Sequence, residues 1–296
     1  MKNVLFATTA LVATAGVAAA EVTVGGYGYA GVLYNEGRSI DANADGIEDA
    51  NGGEFYVEHA VRLTFGATVA TDAGVEFGAS SRITITDNND NGMLGHNRID
   101  MRAGGVSVRI GATHGAAKTL ARVATFHGFN DGGALYYGAS GIDSNNSALN
   151  DSGNNILMQY TAGAITVGAA TQINGDESDV AVRYNGGAWN VGAGIATDDT
   201  WMLAFGYSAG AFAVALGVNG NADDSNDIVA TANYALSSAT SINFGIDMDE
   251  STDTSNYGIQ VSHDLGGASL IGNVGVVNSG GAGEATVAGL GAFFSF

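Results

Sequence analysis

The sequence predicts an all-β fold, a transmembrane antiparallel β-barrel of about sixteen strands. Three observations predict it. Apolar residues recur at every second position over nearly all of residues 21–296, with no comparable helical period, and a period of two belongs to a strand with unlike faces. The opposite face carries Gly, Ser, Thr, Asn and a few charges, where a soluble sandwich of this size would have a bulky inner face and a charged outer one. The links between strands alternate between short turns and longer polar stretches, as they do at the two rims of an outer-membrane barrel. Composition agrees. Only 14% of the 296 residues are charged and none is proline, a residue that removes ladder hydrogen bonds. Past the N-terminus no stretch offers the ~20 apolar residues of a membrane helix. A sheet in lipid must therefore close on itself, because the bilayer offers its amides no partners.

The elements follow in order. Lys2, the apolar run from Leu5 to Val17 and Ala18-Ala19-Ala20 read as a cleaved secretory signal peptide over residues 1–20. This leaves one barrel domain over 21–296. Its first strand presents Val22, Val24, Gly26, Gly28, Ala30 and Val32 on one face. The next presents Val57, His59, Val61, Leu63 and Phe65, with Glu58, Arg62 and Thr64 opposite. The pattern continues through Phe77 and Ile83, through Ile99 and Met101, and through Val106, Val108 and Ile110. Residues 112–153 are the longest stretch without clear alternation, and loops of that length are usually functional or disordered. Alternation then resumes at Ile165 and runs to Phe296. Ala162-Gly163, Gly186-Gly187 and Ala209-Gly210 are two-residue turns, separated by longer links at 174–178, 198–199 and 220–226, with further ones at 249–254 and 278–283. Tyr160, Tyr184, Tyr207, Tyr234 and His263 come just before the short turns, at the height of an interfacial aromatic girdle.

Several function classes are disfavoured. With ten basic residues against thirty acidic ones, a formal net charge of −20, the chain lacks the basic surface that phosphate contacts need, so no nucleic-acid partner is expected. The acids collect in polar runs such as 41–54, 87–90 and 221–227, which read as solvated loops. There is no cysteine, hence no disulfide and no thiolate metal site. Gly206-Tyr207-Ser208-Ala209-Gly210 matches the G-x-S-x-G nucleophile elbow, but the motif joins strand to strand, and its echoes at 160–167 and 184–191 put Thr161 and Asn185 where Ser208 stands. An elbow needs a strand entering and a helix leaving, so this is a hairpin turn. Gly26-x-Gly28-x-x-Gly31 lies inside the first strand with no preceding βα unit, which argues against a dinucleotide site; its smooth face suits close packing between protomers. Asp41, Asn43 and Asp45 copy the start of an EF-hand loop, yet Gly52 stands at the twelfth position and no helices flank it. The pattern makes at most a weak Ca²⁺ site and reads more readily as an acidic loop. No cofactor is required. The five histidines lack zinc spacing.

The segments VTVGGYGYAGVLYN (22–35), TDAGVEFGASSR (71–82), NNILMQYTAGAITVGAA (154–170) and the closing LGAFFSF resemble the general porins of alphaproteobacteria, the Rhodobacter type. The resemblance spans residues 21–296 in patches, and the loops do not match obviously. It implies a sixteen-stranded homotrimer in the outer membrane of a Gram-negative bacterium, among lipid and lipopolysaccharide, passing ions and small hydrophilic solutes by diffusion. It also implies a third loop folded inward to narrow the bore, for which 112–153 is in the right place. A terminal aromatic, Phe296 with Phe294 and Leu290 on the same side, resembles the signal read by the barrel-assembly machinery; Ala292 is smaller than usual there.

Selectivity in such a channel comes from charges lining a constriction. Arg62, Arg82, Arg98, Arg102 and Arg109 all fall on the polar faces of neighbouring strands and are expected to form one basic wall, with Arg183 as an extension. Asp131, Asp143 and Asp151 in the third loop are expected across from it. The competing reading is that these arginines neutralise Glu58, Glu76 and Asp100, and the two are compatible. Two other classes remain open, an outer-membrane barrel enzyme and a secreted Ca²⁺-binding adhesive β-protein. The enzyme needs a Ser–His pair near the lipid boundary, which the sequence does not assign. The adhesive protein would dissolve without detergent.

Overall fold

The computed structural model describes residues 20–36, 55–86, 94–123, 126–127, 136–137, 155–173, 175–279 and 283–296. The expected signal peptide therefore lies outside the described residues, Ala20 apart. Among the described residues sixteen antiparallel strands close into one barrel. They are β1 (Glu21–Asn35), β2 (Phe55–Ala70), β3 (Glu76–Thr86), β4 (Leu94–Ala103) and β5 (Val106–Gly111), then β8 (Asn155–Ala162), β9 (Ile165–Gln172), β10 (Ser178–Asn185), β11 (Trp189–Ala196) and β12 (Trp201–Ala209). The circuit continues with β13 (Phe212–Gly220), β14 (Asn226–Ala235), β15 (Thr240–Asp249), β16 (Thr254–Asp264), β17 (Ala268–Ser279) and β18 (Glu284–Ser295). Between β5 and β8 lie α1 (Ala116–Leu120) and a separate two-residue ladder of β6 (Phe126–His127) and β7 (Tyr136–Tyr137).

The alternating pattern becomes the two faces of the wall. Val167, Val182, Leu203, Phe205, Leu216, Phe244 and Val274 all point outward and are exposed. Their sequence neighbours point inward, and register is fixed because a slip of one residue would exchange the faces. Tyr160, Tyr184, Tyr207 and Tyr234 stand exposed on the outer face beside the short turns, with Trp189 against Tyr184 at 5.0 Å between ring centroids. Gly163, Gly187 and Gly210 adopt positive φ in those turns. Ser208 thus sits in a hairpin between β12 and β13, without the helix a nucleophile elbow requires.

At the opposite rim aspartates replace glycine in the left-handed conformation, at Asp199, Asp224 and Asp253, a region that Asp tolerates. Their neighbours brace the turns. Asp198 Oδ1 accepts from Thr200 N and Oγ1, Asp223 Oδ1 from Ser225 N and Oγ, and Asp249 Oδ1 from Thr252 N and Ser251 Oγ. These acids therefore build Asx-type turns.

The barrel closes between β1 and β18, and pairing runs to the last residue: Gly26 N donates to Phe296 O at 2.8 Å and Phe296 N to Gly26 O at 3.0 Å. The rings of β18 lie over the glycines of β1. A Cβ on Gly28 would come 2.6 Å from Phe294 Cζ, and one on Gly26 would strike the Arg62 carbonyl and meet Phe296 Cζ at 3.2 Å. The smooth face expected to pack between protomers is thus filled at these two glycines by the chain's own C-terminal rings.

The inner face is not uniformly polar. Beside the closure, Tyr29, Leu33, Ala60 and Val287 form a buried inward cluster, with Tyr27, Ile271 and Phe293 against it. A second apolar sector underlies α1.

Candidate pore constriction

Beyond β5 the chain turns into the barrel. Ala112 N donates to Asn97 O at 2.9 Å, and Asn155 Nδ2 donates to Thr113 O at 2.6 Å. α1 then lies on the inner wall, where Ala116 and Leu120 bury against Leu157, Ala170 and Ala181. Ala117, Ala121 and Val123 bury against Met202, Ala204 and Val229. Glycines make the approach possible: a Cβ on Gly194 would come 2.7 Å from Ala117 Cβ, and one on Gly192 would strike the Leu120 carbonyl.

Two charges on one face of β10 clamp the segment. The Asp179 carboxylate, 3% exposed, accepts from Ala116 N at 2.8 Å and Ala117 N at 3.0 Å. Four residues on, Arg183 Nη1 donates to Leu120 O at 3.3 Å. An anion at the helix start and a cation at its end match the polarity of the backbone dipoles, and the amide contacts offset the cost of burying the carboxylate. Farther along, the backbone of β7 approaches β15 and β16. The described parts of the segment therefore follow the wall from β8 to β16.

The expected basic residues lie on the other side of the bore, on β2 to β5. Asp100 is the hub of three of them. Arg109 Nε donates to its Oδ1 at 2.8 Å, Arg98 Nε lies 3.3 Å from Oδ2, and Arg102 Nη2 lies 3.8 Å from Oδ1. Arg102 Nη1 also donates to Glu76 Oε1 at 2.9 Å. The acid-neutralising role accounts for these three contacts. Arg102 is at the mouth, next to the Ala103-Gly104-Gly105 turn, with about half its side chain exposed. Arg62 Nε donates to Thr84 Oγ1 at 2.9 Å, and its guanidinium carbon sits 5.0 Å from the Tyr27 ring centroid. Arg82 Nη2 is 2.6 Å from His96 Nε2, so that nitrogen accepts. Glu58 accepts a hydrogen bond from Tyr29 Oη at its Oε1, at 3.1 Å.

Asp131, Asp143 and Asp151 lie outside the described residues, as do Asp41, Asn43 and Asp45. Among the described residues no group of three or more His, Asp or Glu is placed to hold a metal ion. The described part of the inward segment carries Lys118 and Arg122 and no acid. The far wall supplies acid and amide groups instead. Asn219, Asp227, Asp247, Gln260 and Asn273 are all buried on the inner face of β13 to β17.

Sequence reasoning missed the inner-face apolar residues Leu157, Met202 and Val229. Their signal was present: Ile156-Leu157-Met158, Trp201-Met202-Leu203 and Ile228-Val229 break the alternation, and a strand covered on both faces loses its period of two.

A closed sixteen-strand barrel, greasy outside and lined by charge and amide within, with a chain segment folded into its bore, is the architecture of an outer-membrane channel. The chain belongs to the Gram-negative porin family, whose model matches residues 7–296. It is an integral, multi-pass outer-membrane channel protein of that family. Solved structures of variants of the Rhodopseudomonas blastica porin share the fold. One is 20% identical with a TM-score of 0.71, and a triple variant is 19% identical with a TM-score of 0.70; in both matches 93% of this chain aligns with 100% of the other. Comparison with curated proteins gave no significant match.

Proposed function

We propose that the channel passes ions and small hydrophilic solutes by diffusion, without catalysis, and that its selectivity is set where the arginine wall of β2 to β5 faces the inward segment. The observation that carries this reading is the arrangement about Asp100. Three guanidiniums share that one carboxylate and Glu76, which leaves the cluster with an excess of positive charge. Arg62 and Arg82 add two more charges on the same wall. Polar solutes that can orient in such a field pass more readily than apolar ones that must shed water. Asp131, Asp143 and Asp151 complete the proposed field from the segment side. The protein works as a homotrimer among lipid and lipopolysaccharide, and Phe296 is the contact for the assembly machinery. It needs no cofactor; the 41–45 loop is at most a weak Ca²⁺ site.

Reconstitution into a planar bilayer tests this. Conductance steps in multiples of three are expected in potassium chloride. Joint replacement of Arg62, Arg82 and Arg98 by Gln is expected to shift the reversal potential in a salt gradient toward potassium. An unchanged reversal potential would place these arginines outside the selective region.

A further inference from the structure

β1 and β2 run for 15 and 16 residues, longer than any other strand among the described residues. Sixteen residues at ~3.3 Å each, tilted by about 45°, rise roughly 37 Å. The apolar band of an outer-membrane barrel is about 25 Å tall. The long-loop ends of these two strands therefore stand above the lipid. Their outer faces are apolar all the same. Phe55 is 68% exposed, Val57 63% and Val32 52%, and Leu290, beside Val32 on β18, is 66% exposed. Lipid does not reach that height, and an apolar patch left in water marks a contact with protein.

His59 lies one step lower on the same face. Glu58 and Ala60 on either side of it are buried, whereas His59 is exposed between Val57 and Val61. No described residue bonds to its ring. By the same rise it stands roughly 26 Å above Ala70, at the edge of the apolar band, and an ionisable side chain on a membrane face points to a partner. Its register neighbours on β1 and β18 are Ala30 and Ala292, small residues that let another wall come close.

We propose that the outer face of β18, β1 and β2 is the contact between copies of this chain, with His59 at the threefold axis, where three imidazoles close a ring of hydrogen bonds. This rests on the homotrimer in the reading above. The balance of donors favours it. A neutral imidazole carries one N–H donor and one acceptor nitrogen. Around a threefold axis each ring donates to the next and accepts from the one before, so every ring nitrogen is satisfied with no outside group. Symmetry also sets the three rings at one height. Above them Phe55, Val57, Val32 and Leu290 of the three copies cover one another. The outer face of β8 to β14, with its exposed tyrosines, is left to the lipid.

The chain has no cysteine, so His59→Cys supplies one thiol per copy. The variant is oxidised with copper phenanthroline in outer-membrane vesicles and run on a denaturing gel without reductant. Three thiols at one axis make a single disulfide, so a covalent dimer holding up to about two thirds of the chain is expected, with no covalent trimer. Reductant should return it to monomer. Phe244→Cys, on the lipid side, should stay monomeric. Open steps in potassium chloride show that each variant is folded. His59→Leu trimers should dissociate at a lower temperature in dodecyl sulfate than wild type, and His59→Asn, which keeps a donor and an acceptor, should fall between. The mass of the wild type in mild detergent separates this proposal from the reading beneath it. A trimer by mass with no disulfide in His59→Cys would overturn the axis and leave the homotrimer standing. Equal dissociation temperatures in wild type and His59→Leu would overturn the hydrogen-bonded ring. A disulfide in Phe244→Cys instead of His59→Cys would put the contact on the other face. A mass other than three chains would overturn the homotrimer, and the axis with it.

Discussion

Asp100 shows how one residue serves structure and selectivity together. Its side chain is mostly buried and it faces Arg98, Arg102 and Arg109, so Asp100→Asn leaves three cations facing one another. Because two of those arginines are substantially exposed, solvent screens much of the loss, and about 1 kcal/mol of stability is expected to go. The same change should move the reversal potential in a potassium chloride gradient toward chloride, since the wall gains a net positive charge. At the closure, Glu36 N donates to Thr286 O and a Glu36 oxygen accepts from Thr286 N at 3.0 Å. That backbone hydrogen bond holds the Glu36 carboxyl below its ordinary value. A depressed carboxyl contributes stability above its unfolded pKa and loses it as pH falls through the folded one. Thr286 amide protection, corrected for intrinsic exchange, should therefore drop on acidification below the usual carboxylate range, and it should lose that step in Glu36→Gln. Sequence alone showed that these residues were polar and inward-facing, but not which acid each arginine meets. The partners sit on different strands, and register across strands depends on turns and on the irregularity between Ser80 and Arg82 against β4.

At the scale of elements, the inward segment is held by glycine clearance, a two-ended clamp and apolar burial. Each can be removed separately. Gly194→Val places a branched side chain where Ala117 lies, so the segment is expected to lift from the wall while the barrel still closes. The readout is a larger and noisier single-channel conductance with retained heat-resistant mobility in detergent gels. Leu157 is 1% exposed beneath Leu120, and Leu157→Ala should cost about 2–4 kcal/mol by loss of burial and the cavity left behind, measurable by denaturant unfolding from lipid vesicles. The strands themselves were legible in the sequence because each buries one face only, and the period of two records it. Residues 112–123 were legible only as a gap in that pattern. A five-residue helix of Ala, Lys, Thr and Leu is too short to show an amphipathic period, and its contacts come from β8 to β12, far along the chain. The better sign lay in the wall that receives it, where both faces are apolar.

For the whole molecule, the sequence was sufficient to say that the sheet closes, since a chain with outward grease and an inward polar face cannot leave edges in lipid. The count of about sixteen strands matches the barrel. The central claim is that the apolar face meets lipid and the other face meets water. The chain has no cysteine, so single cysteines can be placed at will, and Asn243 and Phe244 on β15 point to opposite faces, Phe244 being 50% exposed on the outside. With each variant in a planar bilayer, a charged, water-soluble thiol reagent is added during recording. The account predicts that Asn243→Cys reacts and its conductance falls, while Phe244→Cys is shielded and unchanged. Reaction at Phe244→Cys with protection at Asn243→Cys would contradict it.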